Sequence, residues 1–498
     1  MAWERTILAE RMSSGARSDR VVVIGGGLSG LAAAHRIHER ARTMRRHFDL
    51  TVLEAKDQIG GVLWTDRSDG FTLEGGPDSF ITNKPWAIDL CRRLGLSDQL
   101  IETESSHRRS FVVRNGKLVP VPEGFVLMAP HRLGPILTTP ILSWRGKLRF
   151  LMDLMIPRRD EPSEESLAAF VRRRLGREAL DRLVQPLVAG IYTADPNDLS
   201  LRATLPQFLA MEHDHRSLIL AGWRQSSRRG IRGLERQASG ARYGMFVTLA
   251  DGMDTLPKAL ARALPEGTVR TGTAVRRITR NEPVSPWLIE LLDGPPIEAD
   301  AVIVATEAHA AARFLDSQDP TLALQLRAIP YASSLIVNIA YRRDQISHPL
   351  DGFGAVVPAI EGRPILAVSF LSVKFANRAP AGTVLLRVFI GGASQPQHLE
   401  LDDQAITELV RHELADLIGA SGEPLFTRIG RHPRSMPQYI LGHLDRVATI
   451  RRHLAKHSRL YLAGVAYDGV GIPDCIHAAE MTADSLLDAL ANPAATAA

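Results

Sequence analysis

The chain has 498 residues, of which 45% are hydrophobic and 23% are charged, and its formal net charge is +5. This composition is typical of globular proteins and excludes disordered and fibrous classes, while the length predicts two or three lobes. The excess of Lys and Arg favours an anionic substrate or a membrane surface over nucleic acid, because no helix-turn-helix, zinc-finger or aromatic-interleaved basic motif accompanies it.

Cysteine content and the N-terminal residues indicate a reducing compartment. Cys91 and Cys475 are the only cysteines and form no CxxC pair, so neither a disulfide framework nor a metal site is predicted. Residues 1–19 are polar and predict a flexible tail without the apolar core of a signal peptide. No stretch reaches the ~18 apolar residues of a membrane-spanning helix. We therefore expect a cytoplasmic protein whose membrane contact would be peripheral.

The first motif is a strand, a tight turn and a helix. Residues 21–24 are all β-branched, and the turn after them has glycines at the GxGxxG positions Gly25, Gly27 and Gly30. Glycine is needed there because backbone N–H groups must approach a pyrophosphate at a helix N-terminus. Glu54 ends the next predicted strand, 24 residues after Gly30, near the ~20 expected of a carboxylate that binds a ribose hydroxyl. The alternative is a structural βαβ unit with an incidental surface glutamate.

A second pair of glycines follows this glutamate. Residues 59–62 are IGGV, which resembles the glycine pair of two-dinucleotide-binding flavoproteins and implies FAD rather than NAD. Residues 71–80, FTLEGGPDSF, are similar to the corresponding segment of oxygen-dependent protoporphyrinogen and coproporphyrinogen oxidases. That family has an amine-oxidase-like flavin fold, which the resemblance implies for this chain.

Two later stretches carry the same resemblance. Residues 187–196, LVAGIYTADP, are similar to the family's stretch in the substrate lobe. Residues 462–476 contain GVGIPDCI, which resembles the porphyrinogen oxidases more than other flavin amine oxidases. The resemblance spans residues 20–490 and departs from the family at His432, where a tryptophan is common.

The motifs and the resemblance together assign residues to a non-covalently bound FAD. Exposed amides and a helix N-terminus in GVGIPD would stabilise the anionic reduced flavin. The predicted cofactor contacts are Gly25, Gly26, Gly27, Leu28, Ser29, Gly30, Glu54, Ala55, Gly60, Gly61, Val62, Gly76, Pro77, Asp78, Ser79, Val275, Gly464, Gly471, Ile472 and Pro473. Lys84 is the substrate candidate, with a solvated lysine at a helix entry as the alternative. No side chain is identified as a general base.

The order of the motifs predicts an α/β fold in which a two-dinucleotide-binding, Rossmann-like FAD domain is interleaved with a substrate domain. Residues 20–85, 243–315 and 425–498 are expected to form the FAD domain. Residues 86–242 predict a mainly helical lobe that faces substrate or membrane, and residues 316–424 predict the mixed sheet of the substrate domain.

One segment of the helical lobe is a candidate for membrane contact. Residues 133–156 combine apolar side chains with Arg145, Lys147 and Arg149, so the segment could rest on a membrane and admit an apolar substrate. The alternative is an ordinary buried helix pair.

The resemblance implies a porphyrinogen oxidase of haem biosynthesis. Its substrate would be a tetrapyrrole, namely coproporphyrinogen III, protoporphyrinogen IX or both, and molecular oxygen would be reduced to hydrogen peroxide. A handover of the product to the next enzyme of the haem pathway is a further expectation. Same-fold alternatives are a flavin amine oxidase and a carotenoid-desaturase-like oxidoreductase. A non-catalytic prenyl- or lipid-binding protein is the alternative of a different class.

Overall fold

The structure is a computed structural model that describes residues 18–159, 163–228, 246–283 and 285–491. Residues 1–17 of the expected tail lie outside this range, whereas Asp19, also expected in the tail, begins the first strand. The end of the predicted helical lobe, residues 229–242, lies outside it as well.

The strands and helices follow in chain order. Within the described residues the strands are β1 (Asp19–Ile24), β2 (Phe48–Leu53), β3 (Thr65–Ser68), β4 (Phe71–Glu74), β5 (Phe80–Ile81), β6 (Leu100–Glu102), β7 (Phe111–Arg114), β8 (Lys117–Pro120), β9 (Phe125–Val126), β10 (Ala129–Pro130), β11 (Phe246–Leu249), β12 (Val269–Arg270), β13 (Val275–Thr279), β14 (Trp287–Leu291), β15 (Ile297–Ala299), β16 (Ala301–Val304), β17 (Tyr331–Arg342), β18 (Gly354–Val356), β19 (Ile365–Phe370), β20 (Thr383–Gly391), β21 (Phe426–Pro437) and β22 (Leu460–Leu462). The α-helices are α1 (Leu28–Met44), α2 (Trp86–Arg93), α3 (Gly134–Thr138), α4 (Trp144–Leu151), α5 (Leu167–Arg174), α6 (Arg177–Ala179), α7 (Gln185–Tyr192), α8 (Leu201–Thr204), α9 (Pro206–His215), α10 (Leu218–Arg228), α11 (Thr255–Arg262), α12 (Ala308–Leu315), α13 (Pro320–Arg327), α14 (Leu371–Lys374), α15 (Asp403–Ile418), α16 (His443–Leu454) and α17 (Ile472–Ala491).

The first motif folds into a five-stranded parallel sheet with the order β12-β2-β1-β16-β22. Val21 and Val23 of the central β1 face a core shared with α1 and α17, whereas Val22 and Ile24 face a second core that contains Trp287. Burial on both faces is usual for parallel strands and explains the uninterrupted β-branched run. Because the strands are parallel, the loops after β1, β2, β16 and β22 meet at one edge of the sheet.

A mixed seven-stranded sheet has the order β21-β17-β20-β19-β18-β7-β8. Its pairings are antiparallel except that of β18 with β7. The strands of this sheet do not all come from the segment that was predicted to form it. β7 and β8 come from the segment expected to be the helical lobe, and β21 comes from the segment expected in the FAD domain. The long β17 needs hydrogen-bond partners along both edges, and distant segments supply them.

Residues 134–159 and 163–228 are mainly helical, and their side chains Phe150, Phe170 and Phe208 share a core with Val112 and Val356 of the seven-stranded sheet. None of the helices in the described part of the chain has the length and apolarity that crossing a membrane requires. The predicted fold class, a Rossmann-like α/β domain interleaved with a mixed sheet and a helical lobe, is confirmed.

Candidate active site

The glycine-rich turn lies between β1 and α1. Gly25 has φ +110°, and its N–H donates to the Leu53 carbonyl at 2.8 Å, which ties the turn to β2. A Cβ at Gly30 would overlap the Gly25 carbonyl oxygen, so this helix position accepts only glycine. A Cβ at Gly27, in contrast, would meet no protein atom within 4 Å. Gly27 therefore borders open space beside a helix N-terminus, as a pyrophosphate requires.

Glu54 follows β2 directly and lies against this turn. Its Oε2 accepts the Gly26 N–H at 2.7 Å and its Oε1 accepts the Lys56 N–H at 2.8 Å. The backbone of Glu54 is held from the other side, because its carbonyl accepts the Thr273 N–H at 2.8 Å. Val275 begins β13 two residues later and is buried. The predicted ribose ligand Glu54 and the predicted cofactor contact Val275 therefore lie near each other.

The second glycine pair packs directly on the first turn. The Gly60 N–H donates to the Gly26 carbonyl at 2.8 Å, and Gly27 and Gly60 form a β-bridge. Gly60 and Gly61 have φ of +101° and +63°, a conformation that favours glycine. Two glycine segments that are 30 residues apart in sequence thus form one surface.

The C-terminal motif lies at the same edge of the sheet. Gly464, with φ +134°, follows β22, and α17 begins at Ile472. Tyr439 fastens this loop, because its hydroxyl donates to the Val465 carbonyl at 2.6 Å and accepts the Gly469 N–H at 2.8 Å. The ring of Tyr439 stacks on His443 at 4.0 Å between centroids.

Cys475 lies in the first turn of α17, near Ser29 of α1. Burial, with a smaller effect of the Asp474 charge, raises the pKa of the Cys475 thiol to about 12, although a hydrogen bond with Ser29 opposes the rise. The thiol is therefore protonated near neutral pH and is a poor nucleophile. Lys84 lies beside the same turn, and its Nζ donates to Asp474 Oδ1 at 2.6 Å. Instead of being free in solvent, Lys84 is ion-paired, and its side chain is 38% exposed.

The predicted contact Asp78 is held by Arg387 of the seven-stranded sheet and by Lys374 of the adjoining α14. Lys374 Nζ lies 3.0 Å and 3.2 Å from the two carboxylate oxygens, Arg387 Nη1 lies 3.4 Å from Oδ2, and the Ser79 hydroxyl donates to Oδ1 at 2.6 Å. Burial opposes ionisation, but the charges of Lys374 and Arg387 outweigh it and hold the pKa of Asp78 well below its usual range. Asp78 is thus a carboxylate with partners on both oxygens.

The neighbouring residue Glu74 forms a second buried ion pair. Glu74 accepts the Thr65 hydroxyl at 2.8 Å and the Met253 N–H at 3.0 Å, and Arg378 Nη1 lies 3.6 Å from Oε1. Burial raises the pKa of Glu74, although Arg378 and these hydrogen bonds oppose the shift. Asn338 Nδ2 donates to the Glu74 carbonyl at 3.2 Å. Segment 74–79 is therefore fixed by side chains of the seven-stranded sheet and of the residues next to it.

Several residues of this site were missed in the sequence. Lys374, Arg378, Arg387 and Asn338 lie far from every motif, and His432 was noted only as a departure, although its Nε2 lies 2.8 Å from the Gly75 carbonyl oxygen. Arg387 interrupts the otherwise apolar strand TVLLRVFIG. A charged residue within a buried strand is the one signal that could have identified it.

The residues present fit a dinucleotide cofactor. Gly27 leaves the approach to a helix N-terminus open, Glu54 supplies a buried carboxylate, and the loops after β1 and β22 meet there. A family model described as flavin containing amine oxidoreductase matches residues 28–487. The chain belongs to that family. A flavin is therefore its cofactor.

Two curated relatives and one solved structure show which members of this family the chain resembles. The chain is 38% identical to coproporphyrinogen III oxidase of Propionibacterium freudenreichii over 94% of this chain and 91% of that protein. It is 34% identical to coproporphyrinogen III oxidase of Bacillus subtilis over 93% of this chain and 97% of that protein. A crystal structure assigned to a protoporphyrinogen oxidase of Exiguobacterium superposes with a TM-score of 0.83 at 30% identity, covering 95% of this chain and 99% of that one.

Proposed function

We propose that this chain is an FAD-dependent porphyrinogen oxidase of haem biosynthesis. The observation that carries the proposal is the pair of relatives named coproporphyrinogen III oxidase, which match nearly the whole chain. The glycine surface beside Glu54 supports it independently, because that surface suits a dinucleotide. We expect coproporphyrinogen III to be the better substrate and protoporphyrinogen IX the weaker one.

The residues that would hold the pyrophosphate and the ribose of FAD come from the loops after β1 and β2, at one edge of the five-stranded sheet. Gly25, Gly27 and the N-terminus of α1 would bind the pyrophosphate, and Glu54 would accept from the ribose. When bound, FAD would supply the two-electron chemistry, by which two electrons and two protons would pass from the substrate to O₂. Three such oxidations convert one porphyrinogen and three O₂ into one porphyrin and three H₂O₂. Non-covalent binding is supported by the buried, protonated thiol of Cys475.

The residues of the chain act on this chemistry by positioning and by charge. The N-terminus of α17 carries the positive end of the helix dipole, which stabilises negative charge placed before Ile472. Lys84 holds Asp474 in the first turn of that helix, so it fixes the helix start. The side chain of Lys84 is 38% exposed, so we retain the proposal that it contacts a propionate of the substrate. No side chain is assigned as a general base.

The test is aerobic oxidation of coproporphyrinogen III and protoporphyrinogen IX by the purified protein, followed by porphyrin fluorescence. We expect a yellow protein, growth of fluorescence with both substrates and a higher kcat/KM for coproporphyrinogen III. Flavin that is released by acid precipitation would establish non-covalent binding. A yellow protein that oxidises neither substrate would contradict the proposal and favour an amine oxidase or a desaturase.

One face of the helical lobe supports a peripheral membrane contact. Trp144, Leu148, Met152 and Met155 are 69%, 58%, 46% and 80% exposed, and their spacing places them on one side of α4 and the turn after it. The opposite side of the segment, with Ile136, Ile141 and Phe150, is buried, as the alternative of a buried helix pair predicts. Arg145 lies beside Trp144, with its guanidinium 5.2 Å from the ring centroid. Apolar side chains flanked by cations suit an anionic lipid surface.

Sedimentation with vesicles tests this contact. We expect the protein to bind vesicles that contain phosphatidylglycerol more strongly than vesicles of phosphatidylcholine alone, and the double variant Trp144→Ser/Leu148→Ser to lose this binding. Equal sedimentation of the variant and the parent would contradict the contact. Handover of the product to the next enzyme of the haem pathway stays a prediction.

A further inference from the structure

We propose that Lys374 and Arg387 are positioning residues for the flavin, a role that rests on the proposed FAD binding. Arg387 lies in β20 of the seven-stranded sheet and Lys374 ends the adjoining helix α14, yet both fix the backbone of residues 76–79 beside the glycine turns. The seven-stranded sheet would thereby set the shape of the cofactor site from outside the five-stranded sheet that carries these turns.

Segment 76–79 forms a continuous surface with the two glycine turns. A Cβ at Gly76 would overlap the Val62 carbonyl oxygen, so the two backbones are in close contact. Val62 lies two residues after Gly60, and Gly60 forms a β-bridge with Gly27 at the open end of the first turn. A displacement of Gly76 would therefore be transmitted through Val62 to the surface that borders the cofactor space.

Arg387 contacts this segment at two points. Its Nη2 donates to the Gly76 carbonyl, and its Nη1 faces Asp78 Oδ2 at 3.4 Å. The side chain is 2% exposed, so these contacts are made away from water. A planar guanidinium with several donors in a fixed fork can hold both acceptors, whereas an ammonium group could not keep the same geometry.

Lys374, at the end of α14, contacts the same segment. Its Nζ contacts both Asp78 oxygens and lies 3.2 Å from the Ser79 hydroxyl oxygen. Its side chain is 9% exposed and that of Asp78 is 12% exposed. Oδ1 of Asp78 already meets Ser79 and Lys374, and its Oδ2 meets Lys374 and Arg387, so about four lone-pair sites of the carboxylate are in use. Its part is to anchor the segment, and the backbone of residues 76–79 is the part left to face the flavin.

The buried ions also explain why the contact is specific. Glu74 and Asp78 face the three cations Lys374, Arg378 and Arg387, so the cluster keeps one net positive charge. Burying five charges contributes little net stability, because desolvation offsets the attraction. The gain lies in the geometry that the charges impose on residues 76–79, since removal of one partner would leave the others unpaired.

The experiment measures the dissociation constant of FAD from the full-length protein by quenching of flavin fluorescence, with the unfolding midpoint of each FAD-free protein measured in parallel. The variants are Lys374→Met, Arg387→Met and the double variant Asp78→Asn/Lys374→Met. The matched control is Arg431→Met. Arg431 lies in β21 of the same sheet, and its exposed guanidinium pairs with Asp403 of α15. Arg387→Lys serves if Arg387→Met does not fold, because it keeps the charge and loses the fork.

We expect Lys374→Met and Arg387→Met to weaken FAD binding by about tenfold or more, Arg387→Lys to weaken it less, and Arg431→Met to leave it unchanged. The double variant should regain most of the unfolding midpoint, because it leaves no unpaired carboxylate, yet it should still bind FAD weakly. Parent-like affinity in the single variants would overturn the proposal. Affinity that recovers together with stability in the double variant would also overturn it, since the role would then be structural only.

The porphyrinogen assay separates this inference from the proposed function. A parent protein that binds FAD and oxidises no porphyrinogen would contradict the proposed function, while the FAD titrations would still decide the role of Lys374 and Arg387. A parent protein that binds no FAD would contradict both.

Discussion

The glycine surface and the ionic cluster form neighbouring parts of the candidate site, and they are built in different ways. Gly25, Gly27, Gly30, Gly60 and Gly61 lie within 37 consecutive residues and act by having no side chain. The ionic cluster joins segment 74–79 to α14 and β20 across about 300 residues and acts through long charged side chains. The first is therefore visible as a motif, whereas the second exists only after the sheets have packed.

The largest effect is expected at another long-range ionic contact, in the helical lobe. Arg174 is fully buried, and it donates from Nε to Asp153 Oδ1 at 2.7 Å and from Nη2 to the Arg216 carbonyl at 2.6 Å. Arg174→Met leaves Asp153 buried without its cation and should lower the free energy of unfolding by about 3–5 kcal/mol. Denaturant unfolding measures this.

The exposed pair of Arg177 with Asp181 is the control, because its arginine is 86% exposed. Arg177→Met should change the stability by less than about 1 kcal/mol. Similar losses in both variants would show that buried and exposed ion pairs do not differ here, and that long-range ionic contacts are not the more sensitive class.

The next effect concerns two glycines of the first turn, for which we expect different results. Gly30→Ala forces a Cβ against the Gly25 carbonyl oxygen and should cost about 1–3 kcal/mol as well as FAD binding. Gly27→Ala should keep the unfolding midpoint, since its Cβ meets no protein atom within 4 Å, and should lose only FAD affinity. Thermal unfolding of both FAD-free variants, together with FAD titration, measures the difference. Normal FAD binding by Gly27→Ala would place the pyrophosphate elsewhere.

A smaller effect is expected from two buried histidines when the pH falls. Burial, helped by nearby cations such as Arg93 and Arg446, lowers the pKa of His35 and of His443 to about 4. Both are neutral in the folded state, whereas the unfolded chain takes up protons below its ordinary pKa of about 6.5. Their contribution is therefore complete above pH 6.5 and is lost as the pH falls from 6.5 towards 4, with about 2 kcal/mol per histidine lost by pH 5.

Urea unfolding at pH 7.5, 6 and 5 measures this loss. His443→Phe keeps a ring against Tyr439 and removes the titrating group, so its stability should fall less steeply with pH than that of the parent. Asp78 does not contribute in this window, because its pKa is lowered and its effect is lost only at lower pH. Identical pH profiles for parent and variant would exclude His443 as a source of the slope.

The smallest effect is expected at the loop before α17. Tyr439→Phe removes a hydroxyl that connects the Val465 carbonyl to the Gly469 N–H, and it should cost about 1–2 kcal/mol. Because the loop precedes the helix N-terminus, we also expect a modest shift of the flavin absorption band. Unfolding and absorption spectra measure the two effects. An unchanged spectrum with reduced stability would limit Tyr439 to a structural role.

Much of the site was predictable because its residues are consecutive. The strand, the glycine turn and Glu54 occur in the order and at the spacing that the chemistry requires, and GVGIPDCI narrows the family. Arg387 and Lys374 were not predictable, since their strand and helix carry no motif. The position of β21 was missed for a similar reason: which strand supplies the edge partner of β17 depends on how distant segments pack.

The sequence by itself determined the Rossmann-like fold, the glycine turns and the flavin family, because these depend on local backbone conformation and on side chains within one βαβ unit. Only the tertiary structure decided that Asp78 faces Lys374 and Arg387, that Lys84 pairs with Asp474, and that one face of α4 is exposed. The physical reason is that the partner of a charge, and whether one face of a helix is covered, depend on segments that are distant in sequence, by 390 residues for Lys84 and Asp474.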